Sequence, residues 1–275
     1  MQDLKSSHII PVQAQTPAIP PPVGGWAAYT LHLADTTLIL AQRNSEWCAH
    51  GPILEQDIAI TNISLDLIGQ ARNFYQYAAV LVNEGASSSS APVDEDQLAY
   101  LRKERDFKNL LMVELPIGDW AQTVLRQFFF SQYQYLLFEQ LQQSSNQQLA
   151  AIAAKGIKET KYHVRWSSEW VIRLGDGTEE SKVRMQKALK ELWPYTGEMF
   201  VNASYETGNA AAVDCSSLKE DWLKKVSAVL QEATLEQPVN VFMQSGGKEG
   251  VHTEHLGFIL AELQYLQRTY PNSVW

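Results

Sequence analysis

Cysteine is scarce in this chain. Of its 275 residues only Cys48 and Cys215 are cysteines, far apart and outside any Cys-x-x-Cys pair. That usage suits a reducing compartment, gives a disulfide no positive support, and leaves no cluster for an iron–sulfur centre. Basic charge is also in deficit. Lys and Arg number 22 against 31 Asp and Glu, a formal net charge of −9. A surface of that sign argues against a nucleic-acid backbone or an anionic membrane as the main partner. No stretch approaches the roughly 20 apolar residues of a membrane span. The opening Met1-Gln2-Asp3-Leu4-Lys5-Ser6-Ser7 lacks the charged start and apolar block of a secretory signal, so the expected location is cytoplasmic. Convincing period-two alternation, internal repeats and a glycine-rich nucleotide fingerprint are missing too.

What is present is apolar content and helical periodicity. Hydrophobic residues make up 45% of the chain, ample for a large core. Pro11, Pro17, Pro20, Pro21 and Pro22 crowd the beginning, and proline removes a backbone donor and fixes φ. Residues 1–25 are therefore expected to form a flexible leader, and residues 26–275 a single helical domain. From Trp26 the apolar positions recur at helical spacing until Gly51-Pro52 stops them. A second helix follows from about residue 53 to 82, without proline. Gly85 to Pro92 reads as a polar linker, and residues 94–101 as a short helix. Asp119 is placed to cap a third long helix running to about Gln143, and a fourth spans about 147–174 before Gly175-Asp176-Gly177. Long helices joined by short turns predict an all-α four-helix bundle, with extra C-terminal helices near residues 179–192, 216–236 and 254–268.

The fourth helix nearly spells a metal site. Dinuclear bundles use a carboxylate on each of two helices and Glu-x-x-His on each of the other two, because residues three apart share one face. Here His163 is preceded three residues earlier by Thr160, while Glu159 is displaced around the helix. The second helix offers Leu67 and Gln70 at the same spacing, the third Ser131 and the first Thr37. One imidazole among hydroxyls does not match the several carboxylates that iron requires. Asn62, Asp66, Gln70 and Asn73 continue along one side of the second helix. The expectation is a hydrogen-bonded polar core of Asp66, Gln70 and His163, joined by Glu159, Ser131 and Tyr133, against the plainer reading of a solvated face.

Smaller features have plainer readings. Glu249-Gly250-Val251-His252 is the chain's one Glu-x-x-His, with His255 following, but Gly246, Gly247 and Gly250 disfavour a helix there. A structured turn is expected; metal, or a phosphate cradled by Gly246-Gly247-Lys248, is the alternative. Glu46 and His50 are read as a surface pair, Cys48 as a small buried residue, and Trp166, Trp170 and Trp193 as core or interface anchors.

Three stretches together carry a family resemblance. They are Thr37-Leu38-Ile39-Leu40-Ala41-Gln42-Arg43 with Ser45-Glu46-Trp47-Cys48-Ala49-His50-Gly51-Pro52, then Leu65-Asp66-Leu67-Ile68-Gly69-Gln70-Ala71-Arg72, and Gly246-Gly247-Lys248-Glu249-Gly250-Val251-His252-Thr253-Glu254-His255-Leu256-Gly257. From Trp26 onward the chain resembles the C subunits of bacterial phenylacetyl-CoA epoxidases, multicomponent ring monooxygenases of phenylacetate catabolism. The resemblance implies a ferritin-like fold and a paralogous catalytic A subunit that carries the di-iron centre. Carrying the A-subunit ligand pattern across gives Thr37, Leu67, Gln70, Ser131, Thr160 and His163, of which only His163 keeps a ligand type. It also implies no cofactor in this chain, with NADPH, FAD and an iron–sulfur centre belonging to a separate reductase subunit. The expected partner is the di-iron subunit, with other subunits of the complex beside it, bound through the outer faces of the first two long helices. Self-association is expected when that partner is absent. Two other readings stay open: a metal enzyme using Asp35, Glu46, Asp66, Glu159 and His163, and a stand-alone helical scaffold.

Overall fold

The computed structural model describes residues 25–86, 91–270 and 273. The proline-rich leader, apart from Gly25, and most of the serine linker lie outside the described residues. Four long helices make the frame: α1 (Gly25–Ser45), α2 (Leu54–Gly85), α5 (Trp120–Leu141) and α6 (Gln147–Gly175). Between the two hairpins lie α3 (Glu95–Tyr100) and the single turn α4 (Leu111–Glu114). After them come α7 (Glu179–Leu192), α8 (Lys219–Glu232), α9 (Glu254–Leu263) and α10 (Tyr265–Thr269). Helices α1 and α2 pair, as do α5 and α6, and α2 also lies against α6. Among the described residues there is no strand.

Local chemistry sets the helix ends. Asp119 accepts from the Gln122 N–H at 3.1 Å, Asn146 from that of Leu149 at 3.0 Å, and Asp94 and Gln97 close a capping box on α3. Helices α5 and α6 approach closely at Gly156, where an added Cβ would sit 2.8 Å from the Phe138 ring. Glycine is needed there for space, not for φ.

Helix α1 is the centre of the molecule. Every residue from 27 to 41 is buried, as expected of a helix that is apolar nearly all round. This corrects the expectation that α1 lends an outer face to a partner. Its far side is covered by the segment after α3: the His32 ring nitrogen lies 2.7 Å from the Lys108 carbonyl, and Asp35 accepts from Arg102, the Tyr75 hydroxyl (2.6 Å) and the Lys108 N–H (2.8 Å).

Apart from α8, residues 193–253 are largely turns and short 3-10 segments, fastened by buried carboxylates. Glu114 meets His252 at 2.9 Å, the Thr253 N–H at 2.6 Å and Asn109 at 2.7 Å. Glu206 pairs with Lys248, whose ammonium also donates to the Val201 carbonyl at 2.9 Å. Glu114 and Glu206 thus each have a basic partner and further hydrogen bonds, without which their burial is strongly disfavoured. At one end of the bundle Trp47, Trp120 and Trp166 stack edge to face, with centroids 5.0 and 6.1 Å apart.

Candidate functional site

The six positions to which the resemblance carries the ligand pattern are all buried here. Their chemistry differs from that of a ligand set. Thr37 Oγ1 donates to the Leu33 carbonyl at 2.6 Å, one turn back on its own helix. Leu67 is fully buried hydrocarbon. Ser131 donates to the Gln127 carbonyl at 2.6 Å and accepts from the Gln127 amide at 2.8 Å, and Gln127 in turn accepts from Asn44 at 2.7 Å. Thr160 donates to the Gly156 carbonyl at 3.0 Å and lies 3.3 Å from Gln134 Oε1.

Gln70 and His163 make two neighbouring bridges between α2 and α6. Gln70 accepts from the Gln134 amide at 3.0 Å and donates to Glu159 at 2.8 Å. His163, fully buried, meets Asp66 through Nε2 at 3.0 Å, and Asp66 reaches the surface. His163 Nδ1 has no partner among the described residues. So Asp66 and His163 are in direct contact, while Gln70 is satisfied by Gln134 and Glu159. Ser131 and Tyr133 stand outside both bridges, and the Tyr133 hydroxyl lies 3.4 Å from Cys215 Sγ. Farther along α2, Asn62 is exposed and Asn73 half-buried, so the polar row dips inward chiefly at Gln70.

The space between the helices is equally unlike a metal pocket. Thr36, Thr37, Phe74, Gln134 and Phe138 border a void of about 10 Å³, roughly the room for one water. One imidazole, an amide, three hydroxyls held mainly by their own helices and a leucine do not fit a pair of iron ions, which take several carboxylates. The other set also stays apart. Asp35 is held by Arg102, Glu46 by Arg43 at 2.8 Å, Asp66 by His163 and Glu159 by Gln70. Among the described residues no three His, Cys, Asp or Glu side chains converge in a way that could hold a metal.

Cys48 and Glu46 resolve differently from expectation, while residues 246–250 form a structured turn as expected. Cys48 is exposed, because it lies in the turn after α1 instead of on a helix. Glu46 pairs with Arg43 and not with His50, whose Nδ1 sits 2.9 Å from the Cys48 carbonyl. Glu249 accepts from the Ser204 N–H at 2.7 Å while His252 turns to Glu114, so the Glu-x-x-His residues serve separate partners. Gly246 has φ +139° and Gly250 φ +80°, both in glycine's territory. The N–H groups of Gly246 and Gly247 do cradle an anion, but it is the chain's own Glu198, at 2.8 and 2.7 Å. Burial pushes the Glu198 carboxyl up from the ordinary range, against backbone hydrogen bonds from Leu111, Gly246 and Gly247. No local motif marks these long-range carboxylate ties, such as that of Glu114 with His252.

Among the described residues, α2 carries a long apolar stripe at the surface. Leu54, Ile58, Leu65 and Ile68 of α2 are exposed, Leu54 by 71% and Leu65 by 60%. Their spacing of four, seven and three puts them along one side.

The profile of the phenylacetic acid catabolic protein family matches residues 15–275. The chain is 49% identical over 251 residues to the C subunit of the 1,2-phenylacetyl-CoA epoxidase of Escherichia coli (strain K12), covering 90% of this chain and 98% of that protein.

Proposed function

The chain belongs to the phenylacetic acid catabolic protein family, and from that membership we propose that it is the non-catalytic C subunit of a phenylacetyl-CoA epoxidase. Its all-helical frame is the ferritin-like bundle of the family. One observation carries the non-catalytic part of the reading: the six ligand positions hold a single imidazole and no carboxylate. The polar bridges of Gln70 and His163 hold α2 against α6 where a catalytic relative would use metal. The chain's work is then mechanical, presenting a rigid face to a di-iron catalytic subunit. That partner would insert one oxygen atom of O2 into the ring of phenylacetyl-CoA, with NADPH-derived electrons arriving through a separate reductase carrying FAD and an iron–sulfur centre.

The stripe of Leu54, Ile58, Leu65 and Ile68 is the face offered to the di-iron subunit. Water is released when such a stripe is covered, and the same gain drives self-association in the partner's absence. Assembly takes place in the cytoplasm, in keeping with an exposed free thiol at Cys48. Among the described residues no helix is long and apolar enough to cross a membrane.

The test is co-expression with the di-iron subunit, followed by size-exclusion chromatography and an epoxidation assay with this chain omitted. A stable heteromer is expected, together with loss of solubility or activity on omission. Leu65→Glu with Ile68→Glu should weaken the heteromer without unfolding the chain, since both side chains are exposed. A catalytic subunit equally soluble and active alone would overturn the supporting role.

A further inference from the structure

Among the described residues three lysine or arginine side chains are buried: Arg102, Lys248 and Arg126. Arg102 pairs with Asp35 and Lys248 with Glu206. Arg126, only 1% exposed, has no carboxylate partner among the described residues. Its Nη1 donates to the carbonyls of Leu115 at 2.7 Å and Pro116 at 3.1 Å. Its Nε and Nη2 are buried and have no hydrogen-bond partner among the described residues. Those two N–H groups lie side by side on one edge of the planar guanidinium. That edge takes both oxygens of a carboxylate at once.

The surroundings add positive charge instead of cancelling it. Arg43 grips the same stretch of chain, giving Nε and Nη2 to the Glu114 carbonyl at 3.2 and 2.8 Å. Two guanidiniums thus hold three successive carbonyls, those of Glu114, Leu115 and Pro116. Glu46, the nearby carboxylate, is taken by Arg43 at 2.8 Å. Burial, helped by the charge of Arg43 and opposed by Glu46, pushes the Arg126 guanidinium down to about 9, so it is still charged at pH 7. A buried charge without an opposite charge is strongly disfavoured. Water could satisfy the two open donors, but only an anion also answers the charge.

We propose that Arg126 binds a small free carboxylate anion, of the size of formate or acetate, through Nε and Nη2. Each carboxylate oxygen accepts one N–H, and the anion does for Arg126 what Asp35 and Glu206 do for the other two buried cations. Solvent is one layer away. Leu115 and Pro116, whose carbonyls Arg126 holds, border an open groove of about 310 Å³ together with Gln122, Leu192 and Tyr195. Gln122 stands one turn before Arg126 on the same face of α5. The groove's own carboxylate, Glu191, is bonded by Gln122 and paired with Lys187 at 3.3 Å. The depth of Arg126 favours a free anion over the acidic side chain of another protein, which would have to bring its backbone into the groove. The site shares no residue with the α2 stripe and does not depend on the function proposed above.

The experiment is thermal unfolding of the full chain at pH 7 and fixed ionic strength, with sodium formate replacing the sodium salt of a bulky sulfonate, morpholinoethanesulfonate. A ligand that binds only the folded chain stabilises it in proportion to the logarithm of its concentration once the site is filled. Tm should then rise by about 2–5 °C for each tenfold increase in formate. Acetate should act in the same way. Chloride offers one centre to two donors and should shift Tm less. Arg126→Met removes the charge and the fork while keeping the apolar stem, and its Tm should be the same in formate as in the sulfonate. Arg126→Lys keeps a charge without the fork and should lose most of the formate shift. A wild-type Tm no higher in formate than in the sulfonate would overturn the proposal, and that comparison needs no variant to fold. A formate shift retained in full by Arg126→Met, or a chloride shift equal to that of formate, would overturn it too.

Discussion

Replacing Arg102 with methionine should destabilise the chain more than any surface change, and the size can be worked from its contacts. Asp35 is fully buried and Arg102 is its one cationic partner among the described residues, with both guanidinium Nη groups on the carboxylate. Methionine preserves much of the aliphatic stem beside Phe107, over whose ring the guanidinium sits at 4.3 Å. What is lost is the charge, leaving Asp35 with the Tyr75 hydroxyl and the Lys108 N–H. Breaking one half of a buried pair costs about 3–5 kcal/mol. For a domain of this size that lowers Tm by about 6–20 °C. Asp35→Asn combined with Arg102→Met removes both charges; the one amide oxygen can accept from the Lys108 N–H, and the amide nitrogen then faces the Tyr75 hydroxyl, which can accept as well as donate. The double variant should therefore lose about 2–3 kcal/mol less than the sum of the singles. Urea unfolding at pH 7, followed by far-UV circular dichroism with an unchanged m-value, measures this. A single-variant loss below about 1 kcal/mol, or strictly additive losses, would refute the view that this pair fastens the segment after α3 to the central helix.

Acid should find a specific weak point at His32. Burial, helped by the charge of Lys248 and opposed by the hydrogen bond to the Lys108 carbonyl, pushes the imidazole down to about 3. Unfolded, it titrates near 6.5. Below that pH the unfolded chain takes a proton that the fold refuses. Stability present above about 6.5 is therefore lost as pH falls toward 3, by about 2 kcal/mol at pH 5. His32→Gln keeps a donor and should flatten that part of the stability profile; parallel profiles for the two proteins would refute the assignment. The two cysteines should also separate cleanly. Cys48 is exposed, while burial pushes the Cys215 thiol up to about 11. One thiol should react with an aromatic disulfide reagent in the folded chain and a second only on unfolding, so equal rates would count against the buried position of Cys215.

Much of the frame is legible in the sequence because helices announce themselves through periodicity and caps. Asp119 and the four long helices stand where the pattern puts them. The central place of α1 is written in the same residues, since apolar positions surround it from Tyr29 to Leu40, yet a bundle helix is ordinarily expected to keep an outer face. The chemistry of Thr37, Leu67, Ser131 and Thr160 is read directly too, since none of them is a carboxylate. The ties of the later segments are not. Asp35 meets Arg102, and Glu206 meets Lys248, through folding of the chain over long loops, and no local pattern marks either pair. The exposure of Cys48 is hidden for a related reason: it follows from a turn whose path depends on Trp47 stacking against Trp120.

The Glu114 tie has a consequence for the order in which the molecule can be completed during synthesis. Its near partner, Asn109, emerges from the ribosome just before it, but His252 lies 138 residues downstream. At 5–20 residues per second that separation is roughly 7–28 s of translation. Through that interval the four frame helices can all emerge and begin to pack while the carboxylate at their edge still needs water. The region around α4 therefore closes last, when the final few dozen residues arrive to replace that water with His252 and the Thr253 amide. A chain cut short before residue 252 would keep the sequence of its frame and leave a buried carboxylate open at the seam, a state well suited to recognition by chaperones and proteases.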